Sequence, residues 1–115
     1  MRLETKKYLY DIRQASDRLV KFTQDKQFAD FERDPMLRAA VERQFEIIGE
    51  ALVQLSKLDA TTVTRISEYR RIIAFRNILI HGYADVDHRL VWDVVETKLP
   101  VLRREIDILL PEDIT

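Results

Sequence analysis

Ile72-Ile73-Ala74-Phe75-Arg76-Asn77-Ile78-Leu79-Ile80-His81-Gly82-Tyr83 is the stretch on which the fold turns. At about 100° per residue, its apolar side chains surround a helix axis instead of lining one stripe. A helix that is apolar all round is buried within a domain, or is covered on its second side by a partner chain. Gly82 ends it, as glycine commonly does just past a helix C-terminus. An arginine, an asparagine and a histidine stand inside this apolar run, with a tyrosine just past its end, and such side chains are rarely buried unless they are paired. A satisfied polar network is one explanation. The other is chemical, because arginine and histidine together can stabilise a phosphate and move a proton.

The helical period continues outward on both sides. Residues 5 to 22 place Tyr8, Ile12, Ala15, Leu19 and Phe22 at helical spacing, with Arg13, Asp17, Arg18 and Lys21 largely on a solvated face. A polar connection leads to Phe28 and Phe31, read as a short helical turn that packs on the bundle. Asp34-Pro35 is a helix start, since aspartate caps the free N–H groups and proline fits the first turn. The helix it opens runs to about residue 58, with Leu37, Val41, Phe45, Ile48, Leu52 and Leu55 as its stripe. Gly49 sits inside that helix at a cost of about 1 kcal/mol relative to alanine, so Gly49-Glu50-Ala51 is the expected crossing point of another helix. Glu50 is read as solvated, with an arginine partner as the alternative.

Residues 59 to 64 read as a loop rich in capping residues, and the motif helix as residues 65 to 81. A last helix starts near Asp87 or His88 and uses Leu90, Val91, Val94, Val95, Leu99, Leu102, Ile106 and Leu109. Pro100 should kink or split it. The expected architecture is an all-α, up-and-down bundle of four to five helices in a single domain, residues 1–115.

Composition agrees. The chain of 115 residues is 46% hydrophobic and 34% charged, with two glycines and three prolines, too few turn residues for a strand-rich fold. Without cysteine there is no disulfide scaffold, thiol nucleophile or Cys-based zinc site, which suits a reducing compartment. No apolar run approaches the roughly 20 residues of a membrane span, and the first residues lack the apolar core of a signal peptide. A cytoplasmic protein without membrane contact is expected. The net charge of −1 means that any RNA or nucleotide must be bound by a local cluster rather than by a basic face.

Asn77 and His81 are four residues apart and face the same way, so the amide can orient the imidazole. Arg76 lies about 140° from His81, but only about 20° from Tyr83 if the helix continued that far. A break at Gly82 lets Tyr83 swing, so the three can converge near the helix end. Spacing leaves both explanations open: a histidine at a helix C-terminus is often a cap, and an arginine in a bundle is often paired with a carboxylate such as Glu50 or Asp93. His88, the other histidine, is read as a surface or capping residue.

Arg-x-x-x-x-His-x-Tyr, with a polar residue just after the arginine, resembles the signature of HEPN-domain ribonucleases. Within that group the chain is similar to the HepT toxins of HepT/MntA (type VII) toxin–antitoxin systems. The similarity extends over Gly49-Glu50-Ala51-Leu52, the residues from Phe75 to Tyr83, Val86-Asp87, Val91-Trp92 and Leu99-Pro100. The resemblance implies a HEPN bundle that dimerises through the helices carrying the motif, and RNA cleavage with no metal or cofactor, in which a ribose 2′-OH attacks the adjacent phosphorus. It implies catalytic roles for Arg76 on the phosphate, His81 in proton transfer and Asn77 in positioning. Two motifs meeting across a homodimer would supply both the acid and the base. It further implies that Tyr83 accepts AMP from an MntA-like nucleotidyltransferase antitoxin, with which the homodimer can form a larger hetero-oligomer. Arg70 and Arg71 can extend the RNA-binding footprint; a solvated face is the equal alternative. The rival expectation is a non-catalytic HEPN subunit that binds nucleotide or a nucleotidyltransferase partner. A purely structural dimer leaves the polar set without a use and ranks last.

Overall fold

Two aspartates set the limits of the longest helix. In the computed structural model, which describes residues 1–82 and 85–111, Asp34 Oδ1 accepts from the N–H groups of Met36 (3.0 Å) and Leu37 (3.2 Å), and Pro35 is the first helical residue. The helix so opened, Pro35–Leu58, ends where Asp59 donates its N–H to Leu55 O at 2.8 Å. Before it stand α1 (Leu3–Thr23) and α2 (Phe28–Arg33), so it is α3. Gln27 N–H donates to Asp30 Oδ2 at 2.8 Å, half of a capping box that fixes the short α2.

Asp59 also begins something. Its carboxylate accepts from Thr62 N–H (3.0 Å), Thr62 Oγ1 (2.8 Å) and Thr5 Oγ1 (3.1 Å). The segment expected as a loop is therefore opened by a single helical turn, α4 (Ala60–Val63), because its capping residues cap. The motif helix, α5 (Tyr69–His81), starts four residues later than the expected residue 65. Ile66 is drawn into the core at 1% exposure, Ser67 donates its N–H and hydroxyl to Glu105 (3.0 and 2.6 Å), and Glu68 adopts a left-handed φ of 56° that interrupts any helix. Gly82 closes α5 with its N–H on Ile78 O at 2.8 Å, at an ordinary φ of −107°.

The last rod is continuous but not uniform. Asp87 caps α6 (His88–Asp93) through the N–H groups of Arg89 and Leu90, the backbone widens to a π-helical turn over Val94–Lys98, and α7 (Leu99–Leu109) follows. Proline has no N–H to bond the carbonyl four residues back. The kink or split expected at Pro100 is taken up as this π turn, which runs directly into α7. Counting the rod once, four long helical elements and two short helices make up the described residues, an all-α bundle.

The Thr5–Asp59 bond ties the start of α1 to the end of α3, so the two run antiparallel. Arg13–Asp107 (3.3 Å) and Asp17–Arg103 (3.0 Å) show the same for α1 and α7. Leu9, Ile12, Leu19, Ile48, Leu52 and Leu55 are wholly buried between α1 and α3 and their neighbours. Phe31 packs on Trp92 with ring centroids 5.2 Å apart, which seats α2 against α6 as expected. Leu90, placed in the apolar stripe of the last helix, is instead 39% exposed. No helix among the described residues is long and apolar enough to cross a membrane.

Candidate functional site

Glycine makes the crossing of α3 and α5 possible. A Cβ on Gly49 would fall 2.3 Å from Arg76 Cβ and 2.4 Å from Cγ, so the arginine stem lies directly on the α3 backbone. The Gly49 crossing was legible, and its occupant is the motif arginine. Phe75 packs beside it, edge-on to Phe45 with centroids 5.2 Å apart. Arg76 is thereby largely sunk, its side chain 24% exposed.

The guanidinium is held at both ends. Nη2 donates to Glu50 Oε2 at 2.7 Å, and Nη1 donates to Asn77 Oδ1 at 2.9 Å. Gln54 Nε2 donates to the other Glu50 oxygen at 3.0 Å. Among the described residues, Nε is buried without a hydrogen-bond partner. Two expectations change here. Glu50 is half-exposed but paired, because the crossing at Gly49 brings its neighbour on α3 to the guanidinium. Asn77 does not orient His81: its carbonyl is spent on Arg76, and among the described residues no hydrogen bond joins the two.

Asn77 and His81 are exposed on one face of α5, near its C-terminal end. A buried, satisfied network therefore does not account for the polar set. Arg70 shares that face, about 20° from His81 on the helix wheel, with its guanidinium over the Tyr69 ring at 5.4 Å. Arg71 does not. It turns toward α7, pairs with Glu68 Oε1 at 3.0 Å and lines a groove away from His81. Tyr83, and with it the convergence of Tyr83 with Arg76 and His81, lies outside the described residues. His88 is half-buried, edge-on to Phe31 at 6.3 Å, a packing role in place of the surface or capping role expected of it. It also lies close enough to Glu42 for its charge to oppose the burial that pushes the Glu42 carboxyl up.

The groove beside α5 is the feature that sequence reasoning missed. Between α5 and the α6–α7 rod runs a groove of about 310 Å³, with Ala74, Phe75 and Ile78 on one wall and Leu90, Val94 and Leu102 on the other. Ile78 is 47% exposed and Leu90 39%. Glu68 closes one end, bridging Arg71 and Lys98 (2.8 Å), and the Lys98 hydrogen bond holds its carboxyl below the usual carboxylate range. The all-round apolar pattern of α5 thus divides: Phe75 and Leu79 face the core, while Ile78 and Ile80 remain open to solvent. Among the described residues no three His, Asp or Glu side chains are grouped to hold a metal ion.

In chemical terms, the site offers an oxyanion the free N–H groups of the Arg76 terminal nitrogens and, on the same helix end, an exposed imidazole. Comparison with known proteins points the same way. The family model described as Ribonuclease HepT-like matches residues 12–109. A protein of Methanocaldococcus jannaschii named "Putative RNase MJ1380" is 32% identical over 106 residues, 92% of this chain and 96% of its own. One from Caldanaerobacter subterraneus, "Putative RNase TTE0752", is 31% identical over 106 residues, 92% of this chain and 94% of its own. "Probable ribonuclease HepT" of Thermococcus cleftensis is 34% identical over 109 residues, 95% of this chain and 98% of its own. No solved structure matches.

Proposed function

The chain belongs to the HepT-like ribonuclease family of HEPN domains, and on that premise we propose that it is the endoribonuclease toxin of a HepT/MntA-type toxin–antitoxin pair. The observation that carries the site assignment is the Arg76 guanidinium, sunk on Gly49 and held between Glu50 and Asn77, with His81 exposed on the same helix end. Arg76 binds the scissile phosphate and offsets the charge that gathers on its oxygens. The ribose 2′-oxygen bonds to phosphorus as its proton passes to an imidazole. The bond from phosphorus to O5′ breaks as a second imidazole protonates the leaving oxygen. The products are a 2′,3′-cyclic phosphate and a 5′-OH, and no step calls for a metal.

Each chain contributes one motif histidine, so the acid and the base come from two copies of His81 in a homodimer. The open groove beside α5, with Ile78 on one wall and Leu90 of α6 on the other, supports such an interface, since apolar side chains of this size gain by being covered. Asn77 positions the Arg76 fork, and Arg70 extends the RNA footprint on the His81 face; Arg71, drawn toward Glu68, contributes less. The antitoxin, an MntA-like nucleotidyltransferase, silences the site by placing AMP on Tyr83, whose bulk and negative charge would exclude RNA phosphates.

The test is cleavage of RNA in EDTA by the parent, Arg76→Ala and His81→Ala. Each variant should lose about 10²–10⁴-fold in rate. Equal activity in all three means a contaminant and ends the proposal. No cleavage by the parent, with the fold intact, leaves the non-catalytic subunit that binds nucleotide or a nucleotidyltransferase. Intact mass after co-expression with the candidate antitoxin reads the modification, which Tyr83→Phe should abolish.

A further inference from the structure

Arg76 has five N–H donors, and the structure accounts for them unequally. Among the described residues, Nε is buried with no partner, one Nη2 hydrogen goes to Glu50, one Nη1 hydrogen goes to Asn77, and the remaining hydrogen on each terminal nitrogen is left for a ligand. A phosphate that uses Nη2 must therefore sit beside the Glu50 carboxylate. That is an odd neighbour for an anion site, because like charges repel.

We propose that Glu50, steadied by Gln54 one turn further along α3, is a positioning residue: it fixes the Arg76 fork for the transition state and accepts weaker binding of the substrate in return. The inference rests on the ribonuclease reading above. Asn77 alone cannot set the fork, since it holds only Nη1. Glu50 holds the opposite terminal nitrogen from a different helix, and Gln54 limits the rotation of its carboxylate. Gly49 keeps the stem flat on α3, so the two anchors act on a side chain with little freedom left. The repulsion from Glu50 is felt in both ground state and transition state. The charge on the phosphoryl oxygens grows in the second, so a correctly aimed fork contributes more there.

This role splits KM from kcat. Glu50→Gln keeps the shape and the acceptor oxygen but removes the charge. It should lower KM for RNA about two- to fivefold at low salt, an effect that fades as salt screens the charges, while kcat also falls. Glu50→Ala removes the anchor, and kcat should fall about tenfold or more with KM no higher than in the parent. Gln54→Ala should move kcat in the same direction by a smaller factor. Melting curves of every variant keep the comparison to folded protein, and Glu50 is exposed enough for folding to survive its loss. If Glu50→Ala keeps kcat within twofold, or loses activity only through a higher KM, the positioning role is wrong while the ribonuclease reading stands. If Arg76→Ala cleaves as well as the parent, the reading itself has failed.

Discussion

Two half-buried arginines in this bundle look alike until their partners are compared. Arg13 on α1 has a side chain 19% exposed, and Arg76 on α5 one 24% exposed. Each has a buried Nε without a hydrogen-bond partner among the described residues. Arg13 donates to the carbonyl of Leu110, just past the end of α7, and to Asp107 at 3.3 Å. The Leu110 carbonyl is one that a helix terminus leaves without an internal partner, so Arg13 completes the fold and staples α7 to α1. Arg76 serves no helix end. Its partners are a half-exposed carboxylate and the exposed amide of its own neighbour, neither of them a group that ends a helix. Depth and an unmet Nε do not tell the two arginines apart; the kind of partner does.

The harshest way to strain that contrast is Gly49→Ala. The added methyl meets the Cβ and Cγ of Arg76, the stiff base of the side chain, at 2.3 and 2.4 Å, so α3 and α5 must separate. Overpacking of this kind costs about 1–3 kcal/mol, and it also moves the fork away from Glu50. Thermal melting should show the loss of stability, and RNA cleavage measured well below the melting point should show a further loss of about tenfold or more. If activity survives while stability drops, the crossing matters for packing alone. Arg13→Ala is the next largest change and the converse one. Leaving the Leu110 carbonyl short of a donor should cost about 1–3 kcal/mol, read as a lower midpoint in urea, with kcat unchanged in the folded range. Arg76→Ala should reverse the pattern, with activity lost and the midpoint nearly kept. A variant pair that fails to exchange effects this way erases the distinction.

Much of this arrangement was legible in the sequence where a single residue type has a single local meaning. Asp34-Pro35 and Asp87 opened helices as expected, and Gly49 marked the close crossing. The misses share a physical cause, which is dependence on something distant. The start of α5 is set by Ser67 bonding Glu105, 38 residues away, and by a left-handed Glu68 that carries no sequence signature. The partner of Glu50 depends on the register of two crossing helices, which spacing within one helix cannot give. Asn77 and His81 are four apart as the wheel requires, yet the amide turns to Arg76 because a guanidinium is the stronger donor. The groove joins residues of α5 to others in the last rod, and a π turn, not a break, absorbs Pro100 on one of its walls.

A smaller effect separates the two regions by the charge of their contacts. Asp59, at the junction of α3 and α4, accepts from neutral groups among the described residues: the N–H and hydroxyl of Thr62 and the hydroxyl of Thr5. The Thr62 hydroxyl, followed by its N–H, holds the Asp59 carboxyl below the ordinary carboxylate range. A carboxyl depressed in the folded state stabilises the fold at every pH above its unfolded value, near 3.9 for aspartate, and that stabilisation is lost as pH falls through the lower folded value. Melting temperature should therefore decline on acidification below about pH 4, and Asp59→Asn should flatten part of the decline. Because the leading contributors are uncharged hydrogen-bond donors, with the charge of Arg2 the last of them, most of the Asp59 share should persist when salt is raised to about 1 M, where the Debye length is near 3 Å. The Glu50–Arg76 pair is made between charges and open to solvent, so its influence on RNA binding should fade over the same range of salt. An acid slope equal in parent and Asp59→Asn, or one that vanishes with salt, would show that both regions are held by exposed charge after all.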